Sequence, residues 1–103
     1  MSKPHSKLVQ DSIKYLNSLP QCHAFPYTPG PYGRRSVHDI IFCCQGRFGT
    51  IEIKIPPDTP SRLQVVFGRK IREAGGKVNF CISLDEVKNF IAKFMIDIKN
   101  TAC

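Results

Sequence analysis

Asp39, Glu52 and Lys54 are the residues of this chain whose types and spacing could do chemistry together. Side chains alternate between the two faces of a strand. In the run Phe48 to Ile55, Glu52 and Lys54 therefore share one face, while Ile51, Ile53 and Ile55 share the other and read as the core face. The run Val37 to Cys44 precedes it, and Gln45-Gly46-Arg47 between them signals a hairpin. A turn on Gln45-Gly46 pairs Cys44 with Arg47. Counting back along the two strands then sets Asp39 opposite Glu52, with Cβ atoms about 5 Å apart. A four-residue loop keeps that register and a three-residue loop breaks it. Two opposed carboxylates repel unless something positive lies between them, and oxygen ligands suit Mg²⁺ or Mn²⁺. Lys54 stands beside that position. The plain alternative is a solvated strand face whose ion pair contributes about 0–1 kcal/mol. The acid that opens the preceding strand, and the register that turns it toward Glu52, favour a metal site.

The rest of the chain must position these groups. Leu8, Val9, Ser12, Ile13 and Leu16 recur at helical spacing, which predicts a first helix over about residues 5 to 18, ended by Pro20. A Pro- and Gly-rich loop runs from Leu19 to about Arg35, with a short strand at His23 to Tyr27. After the hairpin, Thr59-Pro60 reads as an N-cap with proline in the first turn. The second helix that follows has Leu63, Val66, Phe67, Ile71 and Ala74 inward and ends at Gly75-Gly76. Lys77 to Ile82 reads as a further strand. Ser83-Leu84-Asp85-Glu86 is a capping box that opens a third helix with Leu84, Val87, Phe90, Ile91 and Phe94 inward. The expected order is α-β-β-β-α-β-α, an α/β fold on a mixed sheet.

Composition bounds the partners. The 103 residues make one small domain, 1–103, and carry 15 Lys and Arg against 8 Asp and Glu, a net charge of +7 that attracts polyanions. Nucleic acid is the first expectation. No apolar run is long enough for a membrane span or a signal peptide, and five cysteines without a CxxC pair suggest neither a disulfide framework nor structural zinc. A reducing cytoplasm is the expected location.

Asp39 followed by Glu52-Ile53-Lys54 resembles the core of the PD-(D/E)XK nucleases. The longer series Gly46-Arg47-Phe48, Glu52-Ile53-Lys54, Thr59, Gln64, Phe67, Ile71, Gly75-Gly76 and Val78 is similar to the VRR-NUC (virus-type replication-repair nuclease) family, over roughly Tyr27 to Phe90. The resemblance implies a single nuclease domain with a restriction-endonuclease-like mixed β-sheet flanked by helices. It also implies a Mg²⁺- or Mn²⁺-dependent DNA endonuclease acting on branched DNA such as Holliday junctions. Asp39 and Glu52 would hold the metal, Lys54 would position and activate the attacking water, and Gln64 would join the site from the second helix. By residue position alone Gln64 sits on the shoulder of that helix's apolar face, where an ordinary boundary glutamine is the plain reading.

The chain departs from the family pattern twice. His38 stands where a proline usually precedes the aspartate, and no glutamate precedes Glu52 to supply the family's first-helix ligand. Gln10 is the closest substitute by position and Asp11 by chemistry; either could reach the ion through water. His5 and His23 carry no ligand spacing of their own.

Arg34 and Arg35 close the loop before Asp39, and Arg62, Arg69, Lys70 and Arg72 lie on the second helix, where they could grip phosphates. Tyr27 and Tyr32 could stack on an unpaired base. A nuclease fold that has lost activity and only binds DNA is the alternative. Resolving a four-way junction needs two cuts, and one small domain holds one site, so a homodimer is expected. The third helix, with Phe90, Ile91, Phe94, Met95, Ile96 and Ile98, carries enough apolar surface to suggest an interface.

Overall fold

The computed structural model describes residues 3–29, 31, 33 and 37–101, and for 97–101 the backbone alone. Its elements are α1 (Pro4–Asn17), β1 (Cys22–Pro26), β2 (Ile40–Cys44), β3 (Arg47–Ile53), α2 (Arg62–Glu73), β4 (Lys77–Cys81) and α3 (Leu84–Thr101). The order is the expected one. The four strands form one sheet in the order β1-β2-β3-β4, antiparallel except for the parallel β3–β4 pair, whose crossover is α2.

The hairpin sets the register on which the site depends. Gln45 and Gly46 both have positive φ, +52° and +83°, as a two-residue turn matched to strand twist requires. Cys44 accordingly pairs with Arg47 and Ile40 with Ile51, so Asp39, one residue before β2, is set against Glu52.

The main core lies between the sheet and the pair α1 and α3. Ile40, Phe42, Cys44, Ile51, Ile53 and Cys81 from the strands meet Leu16, Val87, Ile91 and Phe94 from the helices. Phe42 meets Phe94 edge-on at 5.5 Å, and across the hairpin it lies over its partner Gly49. A methyl on Gly49 would overlap the Phe42 ring. Gly49→Ala is therefore expected to lower stability by about 1–3 kcal/mol through overpacking; urea unfolding checks it, and a midpoint equal to that of the wild type would contradict the close approach.

The opposite face of β3 and β4 is also covered. α2 packs there, with Phe67 and Phe80 edge-on to the ring of His38 at 4.9 and 5.0 Å. Gly68 lets the helix approach, since a Cβ there would stand 3.1 Å from both His38 and Val78. β3 is thus buried on both faces, where a solvated face had been the alternative.

Two expectations about α2 are corrected. α2 starts at Arg62 with Ser61 as its N-cap, not at Thr59-Pro60. The Ser61 hydroxyl accepts from the Gln64 N–H, and the Gln64 side-chain oxygen accepts from the Ser61 N–H. This reciprocal pair satisfies two helix-end donors where a lone Thr59 cap would satisfy one. Leu63, read as inward, is 67% exposed, because it falls in the first turn before the helix meets the sheet. On α3, Ile91 and Phe94 are buried in the core rather than free for an interface. Ile96 is exposed, and the Ile98 side chain lies outside the described residues. Among the described residues no helix is long and apolar enough to cross a membrane.

Candidate metal centre

The hairpin register brings Asp39 and Glu52 together and interlocks them through the backbone. The Asp39 N–H donates to Glu52 Oε1 at 3.0 Å, and the Ile53 N–H donates to Asp39 Oδ2 at 3.0 Å. Lys54 Nζ lies 3.4 Å from Glu52 Oε2. Lys54 follows β3 directly and is held by its own N–H, which donates to the Cys81 carbonyl of β4 at 3.0 Å. All three groups therefore stand at the same end of the two central strands.

Glu52 is 2% exposed. Burial, followed by the negative charge of Asp39, pushes its carboxyl up to about 7, against the opposing pull of Lys54 and of the Asp39 N–H. A carboxyl raised by burial and, after that, by a neighbouring carboxylate is one whose ionised form a cation would stabilise. Two carboxylates are also the donors that a hard divalent ion prefers, so the residues fit Mg²⁺ or Mn²⁺. Among the described residues no three His, Cys, Asp or Glu side chains are already gathered in an arrangement that could hold a metal ion. Glu52 Oε1 and Asp39 Oδ2 are instead turned toward backbone N–H groups.

A residue that sequence reasoning passed over completes the picture. His5, in the first turn of α1, places Nε2 2.9 Å from Asp39 Oδ2. The two share an open cleft of about 300 Å³ with Gln10, Tyr27 and Thr28, among others. Gln10 is exposed on that cleft wall, and Asp11 is turned to Lys7 at 3.0 Å.

Other expected site residues are placed as follows. The Gln64 side chain closes the α2 capping box with Ser61, and its carbonyl accepts from His38 Nε2 at 2.8 Å. That bond puts the proton on Nε2, so His38 Nδ1 accepts from the Thr50 hydroxyl at 2.9 Å. Burial pushes the His38 pKa below 6.5, which keeps the ring in this neutral form. His38 is a buried pillar between the sheet and α2, and it brings the first turn of α2 up to the residue that precedes Asp39. Arg62 and Arg69 are exposed on α2, whereas Arg72 donates to the Val78 carbonyl at 3.1 Å. Arg34, Arg35 and Tyr32 lie outside the described residues.

The mixed four-stranded sheet between helices is matched by a solved structure described as a VRR_NUC domain. The TM-score is 0.74, over 88% of this chain and 97% of that chain, at 16% identity. The fold is that of a VRR_NUC domain. No family model matches the sequence, and no curated protein matches it either. The VRR_NUC fold thus survives here on a sequence that shares little with its structural relative.

Proposed function

We propose that this chain is a divalent-metal-dependent DNA endonuclease that hydrolyses phosphodiester bonds in branched DNA, four-way junctions included, as a homodimer. The observation that carries the reading is the opposition of Asp39 and buried Glu52 at the end of the β2–β3 hairpin, with Lys54 beside them.

Asp39 and Glu52 would hold Mg²⁺ or Mn²⁺. When bound, such an ion supplies Lewis acidity toward the phosphate and lowers the pKa of a water to that of a usable nucleophile. Lys54, anchored by its backbone and by Glu52 Oε2, would orient the water and offset charge that builds on the phosphate. Gln64 would reach the scissile phosphate only by leaving its cap, so its contribution in this reading is to hold α2 in place. Arg34 and Arg35, with Arg62 and Arg69, would supply sequence-independent grip.

The test is incubation of the protein with linear, flap, bubble and four-way junction DNA in Mg²⁺, Mn²⁺ or EDTA. Metal-dependent cutting of the branched substrates is expected, and equal cutting of linear duplex would limit the reading to a general nuclease. A DNA-binding module without activity is the second reading. It is favoured by the turning of Glu52 Oε1 and Asp39 Oδ2 toward backbone donors, and binding without cutting in either metal would support it.

The grip has its own signature. Each phosphate contact contributes about 0.9 to the slope of log affinity against log salt on duplex DNA. Arg62→Ala with Arg69→Ala is expected to lower that slope by up to about 2 in an anisotropy titration. An unchanged slope would mean that this face of α2 is merely solvated.

A further inference from the structure

We propose that the cleft between β4 and α3 is a second DNA site, which takes one unpaired nucleotide with its base against Phe90 and its phosphate at Lys77 and Lys93. It deepens the reading of branched DNA as the substrate, since branches expose unpaired bases, and it rests on that reading for its partner.

The cleft is built by the return of α3 along the edge of the sheet. β4 is the last strand, ending at Cys81, and α3 starts at Leu84. Lys77 and Asn79 share one face of β4, while Glu86, Asn89, Phe90 and Lys93 form one stripe of α3. Together they line an open cavity of about 540 Å³, a volume ordinary for a small-molecule site. The edge itself does not invite an added strand. Arg72 donates to the Val78 carbonyl at 3.1 Å and the Phe80 N–H donates to Asn79 Oδ1 at 3.0 Å, so the chain's own side chains occupy these backbone groups.

The lining is ordered from acidic to basic. Glu86 stands where the chain turns from β4 into α3, with Oε1 accepting from the Ile82 N–H at 2.8 Å. Lys93 lies two turns further on, about 10 Å along the helix, and Lys77 opens β4 at that same end. Between the ends lie the amides of Asn79 and Asn89 and the half-buried ring of Phe90, which Phe42 and Phe94 flank at 6.2 and 6.4 Å. A ligand that matches this order is anionic at one end, flat in the middle and a hydrogen-bond donor at the other. A nucleotide whose base carries an amino group has that form. The Asn79 oxygen is taken by Phe80, so what this side chain offers a base is its amide N–H groups. Glu86 has a second oxygen for an exocyclic amine, the pairing by which a carboxylate reads cytosine. Stacking on an aromatic ring suits any base, so the amine favours cytosine over thymine. A duplex, with its bases already paired and stacked, has nothing to insert.

The experiment is a ¹H–¹⁵N NMR titration of the full chain in EDTA with deoxycytidine monophosphate, thymidine monophosphate, inorganic phosphate, single-stranded oligodeoxycytidine and blunt duplex DNA. The side-chain amide signals of Asn79 and Asn89 report directly from the cleft. They are expected to shift saturably with the cytidine nucleotide and the single strand, several-fold more weakly with the thymidine nucleotide, and not with duplex or with phosphate at the same concentration. Lys93→Gln, on the exposed side of α3, is expected to weaken the cytidine nucleotide about tenfold. Phe90→Leu, which keeps an apolar side chain against Phe42 and Phe94, should weaken it about tenfold as well, with the signals of the far strands confirming the fold. Cleft signals that move with neither the nucleotide nor the single strand would overturn the site. Equal shifts from inorganic phosphate would overturn the nucleotide and leave an anion site, and shifts that follow protein concentration alone would assign the cleft to a second copy of the chain. With no metal present the outcome does not depend on cutting: a chain that binds in the cleft and cuts no DNA would overturn the endonuclease reading and leave this site standing.

Discussion

Glu52→Gln is expected to bind DNA as wild type does, to cut it at least about 10³-fold more slowly, and to be the more stable protein at neutral pH in the presence of EDTA. The loss of cutting follows from removing a metal ligand whose ion is worth several kcal/mol of charge stabilisation at the transition state, each decade of rate being about 1.4 kcal/mol. The gain in stability follows from linkage. The Glu52 carboxyl is raised from an ordinary 4.5 to about 7 in the folded chain, first by burial and then by Asp39. The folded state therefore holds its proton where the unfolded state has released it. The contribution to stability is fully present below pH 4.5 and is lost as pH rises through about 7. Across that window wild type in EDTA should lose roughly 3 kcal/mol relative to Glu52→Gln. His38 acts in the opposite direction: its depressed pKa costs stability as pH falls below 6.5. The difference between wild type and variant cancels that contribution and isolates Glu52. Urea unfolding at pH 5 and pH 8 supplies the difference, and a gap that stays constant with pH would contradict the buried, crowded carboxylate.

Lys54→Met carries the second large effect, and its sign at each pH is distinctive. The lysine stem packs and its ammonium pulls the Glu52 pKa down, so methionine keeps the volume and removes the charge. At pH 8 Glu52, 2% exposed, must then either ionise without its cation or take up a proton from a basic solvent. Removing one partner of a largely buried pair is costly, and with Lys54 itself partly open to solvent the expected loss is about 1–3 kcal/mol. At pH 5 Glu52 is protonated and the same substitution should cost little. Cutting should fall by about 10²–10³-fold, the cost typical of removing one group that stabilises developing charge, while DNA affinity stays within a few-fold. Equal stability loss at both pH values would show that the lysine matters by packing alone.

These effects trace back to residues that differ in how legible they were. The order of elements follows from period and caps. The hairpin register, and with it the meeting of Asp39 and Glu52, follows from a two-residue turn that permits one pairing. The start of α2 was obscured because Thr59-Pro60 and Ser61 both satisfy cap statistics; the choice is made by Gln64 reaching back to Ser61. The spacing Ser61-Arg62-Leu63-Gln64 is itself a capping box, so a local signal was present but was read as chemistry. His38 is legible as a residue that packs or reaches DNA, and it packs, but its partners are not legible, and His5 is not legible at all. His38 depends on Thr50, 12 residues on, and on the Gln64 carbonyl, 26 residues on. His5 meets Asp39 across 34 residues. Helical period indicates which side of α1 is buried but not which end of it overhangs β2, and that is set by Asn17 clamping Ala24. The apolar residues of α3 divide between the two uses: Ile91 and Phe94, expected inward, are absorbed by Phe42 and the sheet, and Ile96 stays exposed.

Whether Asp39 and Glu52 form a metal centre that cuts DNA is decided by one side-by-side measurement. Wild type and Glu52→Gln are incubated with four-way junction DNA labelled on each strand in turn, with Mn²⁺ and with EDTA, and the products are resolved on a denaturing gel. Shortened strands with wild type in Mn²⁺, and none in EDTA or with Glu52→Gln, are the result expected. Shortened strands in EDTA, or undiminished cutting by Glu52→Gln in Mn²⁺, would contradict it.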